Sequence, residues 1–131
     1  MRLRVLVVED NPLNSELVSD ILTMEGHEVD LAASGAALRA LVVTGATPDI
    51  LLMDILLPDA DGVALLGELR AIERFATVPV IALTAHALTG DEGRLLAAGF
   101  NAVITKPIDT RTFVREVTRL AMGTNRTSGA R

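Results

Sequence analysis

The sequence predicts an α/β fold, a five-stranded parallel sheet with helices on both faces. Short apolar runs of strand length alternate five times with stretches of helical period, and repeated strand-helix units of this kind set consecutive strands parallel. The runs are mostly continuous rather than alternating, as expected of strands covered on both sides. Half of the 131 residues are hydrophobic, yet the aromatics are only Phe75, Phe100 and Phe113, so the core must be aliphatic.

Each element carries its own signals. Residues 5–8 (VLVV) are short, β-branched and continuous. Asn11-Pro12 reads as an N-cap followed by proline at the first helical position. Leu13, Leu17, Ile21 and Met24 recur on one face of that helix, the face expected to meet the core, and Gly26 ends it. Val29 and Leu31 alternate with charged neighbours in a second, weaker strand. Ser34 can cap a helix carrying Leu38, Leu41 and Val42, closed by Gly45. Residues 50–53 (ILLM) form the third strand. A loop through Pro58 leads to Asp61, a cap for a helix presenting Val63, Leu66 and Leu69.

Residues 78–83 form the fourth strand, and Leu95 and Leu96 belong to a fourth helix ended by Gly99. Residues 102–104 make the fifth strand and 110–122 the last helix. The remaining segment, 123–131 (GTNRTSGAR), is small and polar without apolar period, and is expected to be a disordered tail. One domain over residues 1–122 is expected, with no internal repeat.

Composition excludes several classes of function. Net charge is −5 and no run of Lys or Arg offsets it, so direct nucleic-acid binding is not expected. Cysteine is absent, which removes disulfides and thiolate metal sites and fits a cytoplasmic protein. The apolar runs at 50–53 and 55–57 are far too short to span a bilayer, and no signal peptide precedes the first strand.

In open parallel sheets, ligands bind beyond the carboxyl ends of the strands. There the chain leaves Glu9-Asp10 after the first strand, Asp54 after the third, Thr84 after the fourth and Lys106-Pro107 after the fifth. Taken singly, each has an ordinary structural reading: a solvated loop, a helix cap, a turn hydroxyl, a surface charge. Asp54, however, lies between the apolar runs 50–53 and 55–57, where a lone carboxylate is costly without a cation or partner. Hard oxygen donors without His or Cys suit Mg²⁺, which takes one or two carboxylates, waters and phosphate oxygens. Lys106 adds a point charge for a phosphoryl oxygen, and Thr84 a donor to it. The set fits phosphoryl transfer, where positioning and charge neutralisation dominate and a carboxylate can be the covalent acceptor.

The segments VLVVEDNPLN, DILLMDILLPDADG, PVIALTAHA and AGFNAVITKPID resemble the four signature blocks of response-regulator receiver domains of two-component signalling. They occur in order, with 44 residues from Asp10 to Asp54, 30 on to Thr84 and 22 on to Lys106. The likeness covers nearly the whole chain, residues 3–122. It implies a flavodoxin-like (βα)5 fold with strand order 2-1-3-4-5, an order for which a receiver domain is itself the type example. It further implies that Asp54 is the phosphoacceptor. Asp10, with Glu9 mostly through water, would hold Mg²⁺ together with the backbone carbonyl of Leu56. Thr84 and Lys106 would contact the phosphoryl group, and the Lys106-Pro107 bond would be cis.

The implied donor is a phosphohistidine on a histidine kinase or histidine phosphotransfer protein. The implied readout is a downstream protein bound where the fourth helix, fifth strand and fifth helix meet. The protein would be a monomer or a weak phosphorylation-dependent dimer, and a self-phosphorylating signalling domain with slow autodephosphorylation rather than an enzyme. The opening NPLN resembles stand-alone cell-cycle receivers and those of hybrid kinases more than transcription factors, and a stand-alone protein is expected.

Val103 departs from the family pattern, standing where Tyr or Phe is usual. Leu56 and His86 occupy variable positions that influence loss of the phosphoryl group to water; His86 contacts that water or is a solvated loop residue. His27, at a strand start, is expected to be structural. Two other functions fit less well. A small aspartate-dependent phosphatase of the haloacid dehalogenase kind wants a second Asp where Leu56 stands. A non-phosphorylated pseudo-receiver, an interaction module, typically loses an acidic residue or the lysine, and all of these positions are intact.

Overall fold

A computed structural model describes residues 2–45, 47–85 and 91–130, with side chains described as far as Met122. The strands are β1 (Arg4–Val8), β2 (Glu28–Ala32), β3 (Ile50–Asp54), β4 (Val80–Thr84) and β5 (Ala102–Thr105). The helices are α1 (Pro12–Met24), α2 (Gly35–Thr44), α3 (Gly62–Arg70), α4 (Asp91–Ala98) and α5 (Phe113–Ala130), with a 3₁₀ turn at Glu73–Phe75. All four strand pairings are parallel and the order is β2-β1-β3-β4-β5, the flavodoxin-like arrangement that the resemblance implies.

That order explains the hydrophobic patterns. β3 and β4 lie inside the sheet and are buried at every residue, whereas β2, at one edge, is buried only at Ala32. Side chains alternate across the sheet and build two cores. Val5, Val7, Ile50, Leu52, Ile81 and Leu83 meet Val18 and Leu22 of α1 and Phe113, Val117 and Leu120 of α5. Leu6, Val8, Leu51, Met53, Val80 and Ala82 meet Leu38, Leu65, Leu66, Leu69 and Leu95 of α2, α3 and α4. Truncating one such fully buried leucine, Leu22, to alanine costs about 2–5 kcal/mol by the usual core scale.

The caps are as the sequence predicts. Asn11 accepts from the N–H groups of Leu13 and Asn14, Ser34 from Ala37, and Asp61 from Val63. Gly26 (φ 90°) and Gly99 (φ 119°) follow helix ends in the left-handed region, where a side chain would be strained.

The core face of α1 differs from expectation. Leu13 and Met24 are 78% and 83% exposed, Leu17 is also exposed, and Ile21 is half-buried; Val18 and Leu22 are the buried pair. Apolar residues cover two adjoining stripes of this helix, and periodicity cannot choose between them; packing against the sheet and α5 buries the Val18–Leu22 stripe. Leu96 is likewise exposed while Leu95 is buried, and α3 buries Leu65 beside Leu66 and Leu69. β4 begins at Val80 rather than residue 78, because Pro79 has no N–H to give the ladder. α5 runs to Ala130, past the predicted end at Met122. The side chains of residues 123–130 and the whole of Arg131 lie outside the described residues, and with them the expectation of a disordered tail. Among the described residues no helix is long and apolar enough to cross a membrane.

Candidate functional site

Parallel strands all end at one edge, and the register sets those ends abreast. Val8 pairs with Met53, Asp54 with Leu83, and Thr84 with Thr105. Asp54 and Thr84 are thus the last residues of β3 and β4, while Glu9-Asp10 and Lys106 directly follow β1 and β5. Carboxylate oxygens of Glu9, Asp10 and Asp54 lie within 4.8 Å of one another. Glu9, Asp54 and Thr84 are buried, whereas Asp10 faces solvent.

One ammonium faces this cluster. Lys106 Nζ is 2.8 Å from Glu9 Oε1 and 3.3 Å from Asp54 Oδ2. The remaining oxygens of those two carboxylates are held by the backbone: Leu56 N–H donates to Asp54 Oδ1 at 3.1 Å, and Asn11 N–H to Glu9 Oε2 at 3.2 Å. Lys106 N–H donates to the Thr84 carbonyl at 2.8 Å, and the Lys106-Pro107 bond is cis. Burial pushes the Glu9 carboxyl up, the Lys106 ammonium and the Asn11 N–H pull it down, and the neighbouring Asp54 adds to the rise; the balance is upward. Burial pulls the Lys106 ammonium down, but Glu9 and Asp54 outweigh it and hold it above the usual lysine range.

The loop leaving Asp54 is tightly folded. Leu56 and Asp61 form an antiparallel bridge, and Gly62 N–H donates to the Ile55 carbonyl at 3.0 Å. Glycine is required at position 62 by close approach: a Cβ there would sit 3.0 Å from Ile55 Cα and 3.1 Å from the Asp54 carbonyl oxygen. The Leu56 side chain is turned out to solvent, leaving its backbone at the site.

The structure therefore brings Glu9, Asp10, Asp54 and Lys106 together, with Thr84 ending the adjacent strand and Leu56 attached to Asp54. Val103 is half-buried and packs with the α2–α4 core, completing the strand's apolar pattern. His27 is buried and its Nδ1 accepts from Leu3 N–H at 3.0 Å, a structural role. His86 lies outside the described residues. Sequence reasoning missed the direct Glu9–Lys106 pair; its one signal was the presence of a single ammonium on a rim of three carboxylates. It also missed Asp59, whose contacts are described below. The cluster's donors are carboxylate oxygens alone, the set that suits a small hard divalent cation.

Fold and rim together define a class. The model of the response regulator receiver domain matches residues 5–118, and the chain belongs to this family of two-component signalling proteins. It is similar to the polar-differentiation response regulator DivK of Brucella ovis, 40% identical over 114 residues that span 86% of this chain and 91% of the relative. Among solved structures it is similar to the receiver domain of the sensor histidine kinase PA1611 from Pseudomonas aeruginosa PAO1, which has a magnesium ion coordinated in its active site cleft. That likeness has 37% identity and a TM-score of 0.80, over 92% of this chain and 98% of the other. Chemotaxis response regulator CheY4 of Vibrio cholerae shares the fold, with a TM-score of 0.85 at 24% identity over 92% of this chain and 99% of that one.

Proposed function

We propose that this protein accepts a phosphoryl group on Asp54 from a phosphohistidine and thereby switches its binding of a protein partner. The observation that carries this reading is the Lys106 ammonium held between Glu9 and Asp54 in an oxygen-only acid cluster at the carboxyl edge of the sheet. In the transfer, a carboxylate oxygen of Asp54 bonds to phosphorus while the P–N bond breaks and its electron pair returns to the imidazole. The Leu56 N–H orients the Asp54 carboxylate for attack. Lys106 takes up charge on the phosphoryl oxygens, and the Thr84 hydroxyl donates to one of them once it has arrived. Asp10, Asp54, the Leu56 carbonyl and, through water, Glu9 would hold Mg²⁺. When bound, that ion neutralises phosphoryl charge.

The donor is a histidine kinase or histidine phosphotransfer protein, and the downstream partner binds where α4, β5 and α5 meet. The protein acts in the cytoplasm as a monomer or weak phosphorylation-dependent dimer, and slow hydrolysis of the aspartyl phosphate resets it. Incubation with Mg²⁺ and acetyl phosphate, followed by intact-mass measurement, tests the acceptor. One phosphoryl mass is expected, and Asp54→Asn should remove it because an amide is a poor nucleophile. Stoichiometric label retained on that variant would refute the assignment.

A further inference from the structure

We propose that Asp59 is a positioning residue for the phosphoacceptor loop, clamping the β3–α3 loop onto the start of α2 so that the Leu56 peptide is held against Asp54. The inference rests on the phosphoacceptor reading and extends it to a residue outside the acid cluster. Asp59 is exposed, and its carboxylate takes two backbone donors: Gly35 N–H to Oδ1 at 2.8 Å and Ala36 N–H to Oδ2 at 3.0 Å. α2 already has a local cap, since Ser34 Oγ accepts from Ala37 N–H at 3.1 Å. Asp59 therefore satisfies two further early donors from a different part of the chain.

The loop and the helix also meet without a gap. A Cβ on Gly35 would lie 2.9 Å from Ala60 Cβ and 3.2 Å from Asp59 Oδ1, so only glycine allows this approach. At its base the same loop is closed by the Leu56–Asp61 bridge and by the Gly62 N–H on the Ile55 carbonyl. Its tip is tied by Asp59. Leu56, at that base, gives its N–H to Asp54 Oδ1 and would give its carbonyl to the metal. Release of the tip leaves the base bridge as that peptide's only restraint within the loop, and both contacts loosen.

A simple helix cap would look similar, and Ser34 separates the two roles. It caps the same helix through Ala37 N–H, a hydrogen bond that lies wholly within the start of α2. Mg²⁺ affinity should be measured by calorimetry, and the initial rate of phosphorylation by acetyl phosphate at saturating Mg²⁺, for the unaltered chain, Asp59→Ala, Asp59→Asn and Ser34→Ala. Asp59→Ala should weaken Mg²⁺ binding about tenfold, the low end of the range for residues that orient metal ligands. Asp59→Asn, which keeps one acceptor, should recover part of that loss. Ser34→Ala should leave Mg²⁺ affinity and phosphorylation rate as in the unaltered chain, although its melting temperature falls like that of Asp59→Ala. Gly35→Ala, which pushes the loop away while leaving the Asp59 carboxylate in the chain, should weaken Mg²⁺ binding as Asp59→Ala does. Equal effects of Asp59→Ala and Ser34→Ala on Mg²⁺ affinity, or none from Asp59→Ala, would overturn this proposal alone. Failure of the unaltered chain to bind Mg²⁺ or take a phosphoryl group would overturn the phosphoacceptor reading, and this one with it.

Discussion

Replacing Lys106 by methionine tests how the acid cluster is stabilised before any ligand arrives. Methionine keeps most of the side-chain length and removes the charge. At an effective dielectric of about 20, the contacts at 2.8 and 3.3 Å correspond to gross attractions of about 6 and about 5 kcal/mol. Most of that is offset by desolvation of three charged groups. Removing one partner of a fully buried pair costs about 3–5 kcal/mol, and the Lys106 side chain is 17% exposed, so a loss of about 3 kcal/mol is expected at neutral pH. For a chain of this length that lowers the melting temperature by roughly 10 °C. The loss should depend on pH in a definite direction. The Glu9 carboxyl already sits above its ordinary range, so its protonated form stabilises the fold at low pH, and that contribution is lost as pH rises through its folded value. Without the ammonium the Glu9 carboxyl rises further, so the penalty of Lys106→Met should be greatest at neutral pH and shrink on acidification. Melting curves by circular dichroism in EDTA, at neutral and mildly acid pH, provide the assay. A penalty that is the same at both pH values would refute the reasoning.

Asp10→Ala should raise the melting temperature of the metal-free protein, because it relieves repulsion within the cluster, and should weaken Mg²⁺ binding; calorimetry and melting curves in EDTA check both. Arg70 donates to the carbonyls of Phe75, Val78 and Gly99 and to Asn101 Oδ1, so Arg70→Met should cost about 2–3 kcal/mol in a urea titration. In a pull-down with phosphorylated protein, Val103→Ala should leave partner binding largely intact, while Thr84→Ala should uncouple it from phosphorylation; the reverse ranking would disprove this account of the switch.

The sheet was legible because its apolar runs have strand length and its caps are chemically specific: Asn11, Ser34 and Asp61 each cap the helix that the sequence assigns them. The rim was legible for a topological reason, since parallel strands deliver their carboxyl ends to one edge. Rotation of α1 was not legible. Leu13, Leu17 and Met24 have the same helical period as Val18 and Leu22, and only the packed helix decides which pair is buried. Nor was the Asp59 contact, because it joins a loop to a helix start through backbone donors that carry no sequence identity. The Glu9–Lys106 pair spans β1 and β5, which are not neighbours in the sheet, so side-chain reach rather than register brings it about.

The order of the strands along the chain has a consequence for biosynthesis. Glu9 follows the first strand to leave the ribosome and Lys106 the last. A nascent chain emerged only through β4 holds the whole acid cluster without its cation. Closing β1, β3 and β4 at that stage would bring Glu9 and Asp54 together without their cation, a penalty of several kcal/mol that would oppose early collapse of the central strands. Arrival of β5 removes it. The lysine would thus be a late latch on the nascent sheet as well as the charge that completes the finished site.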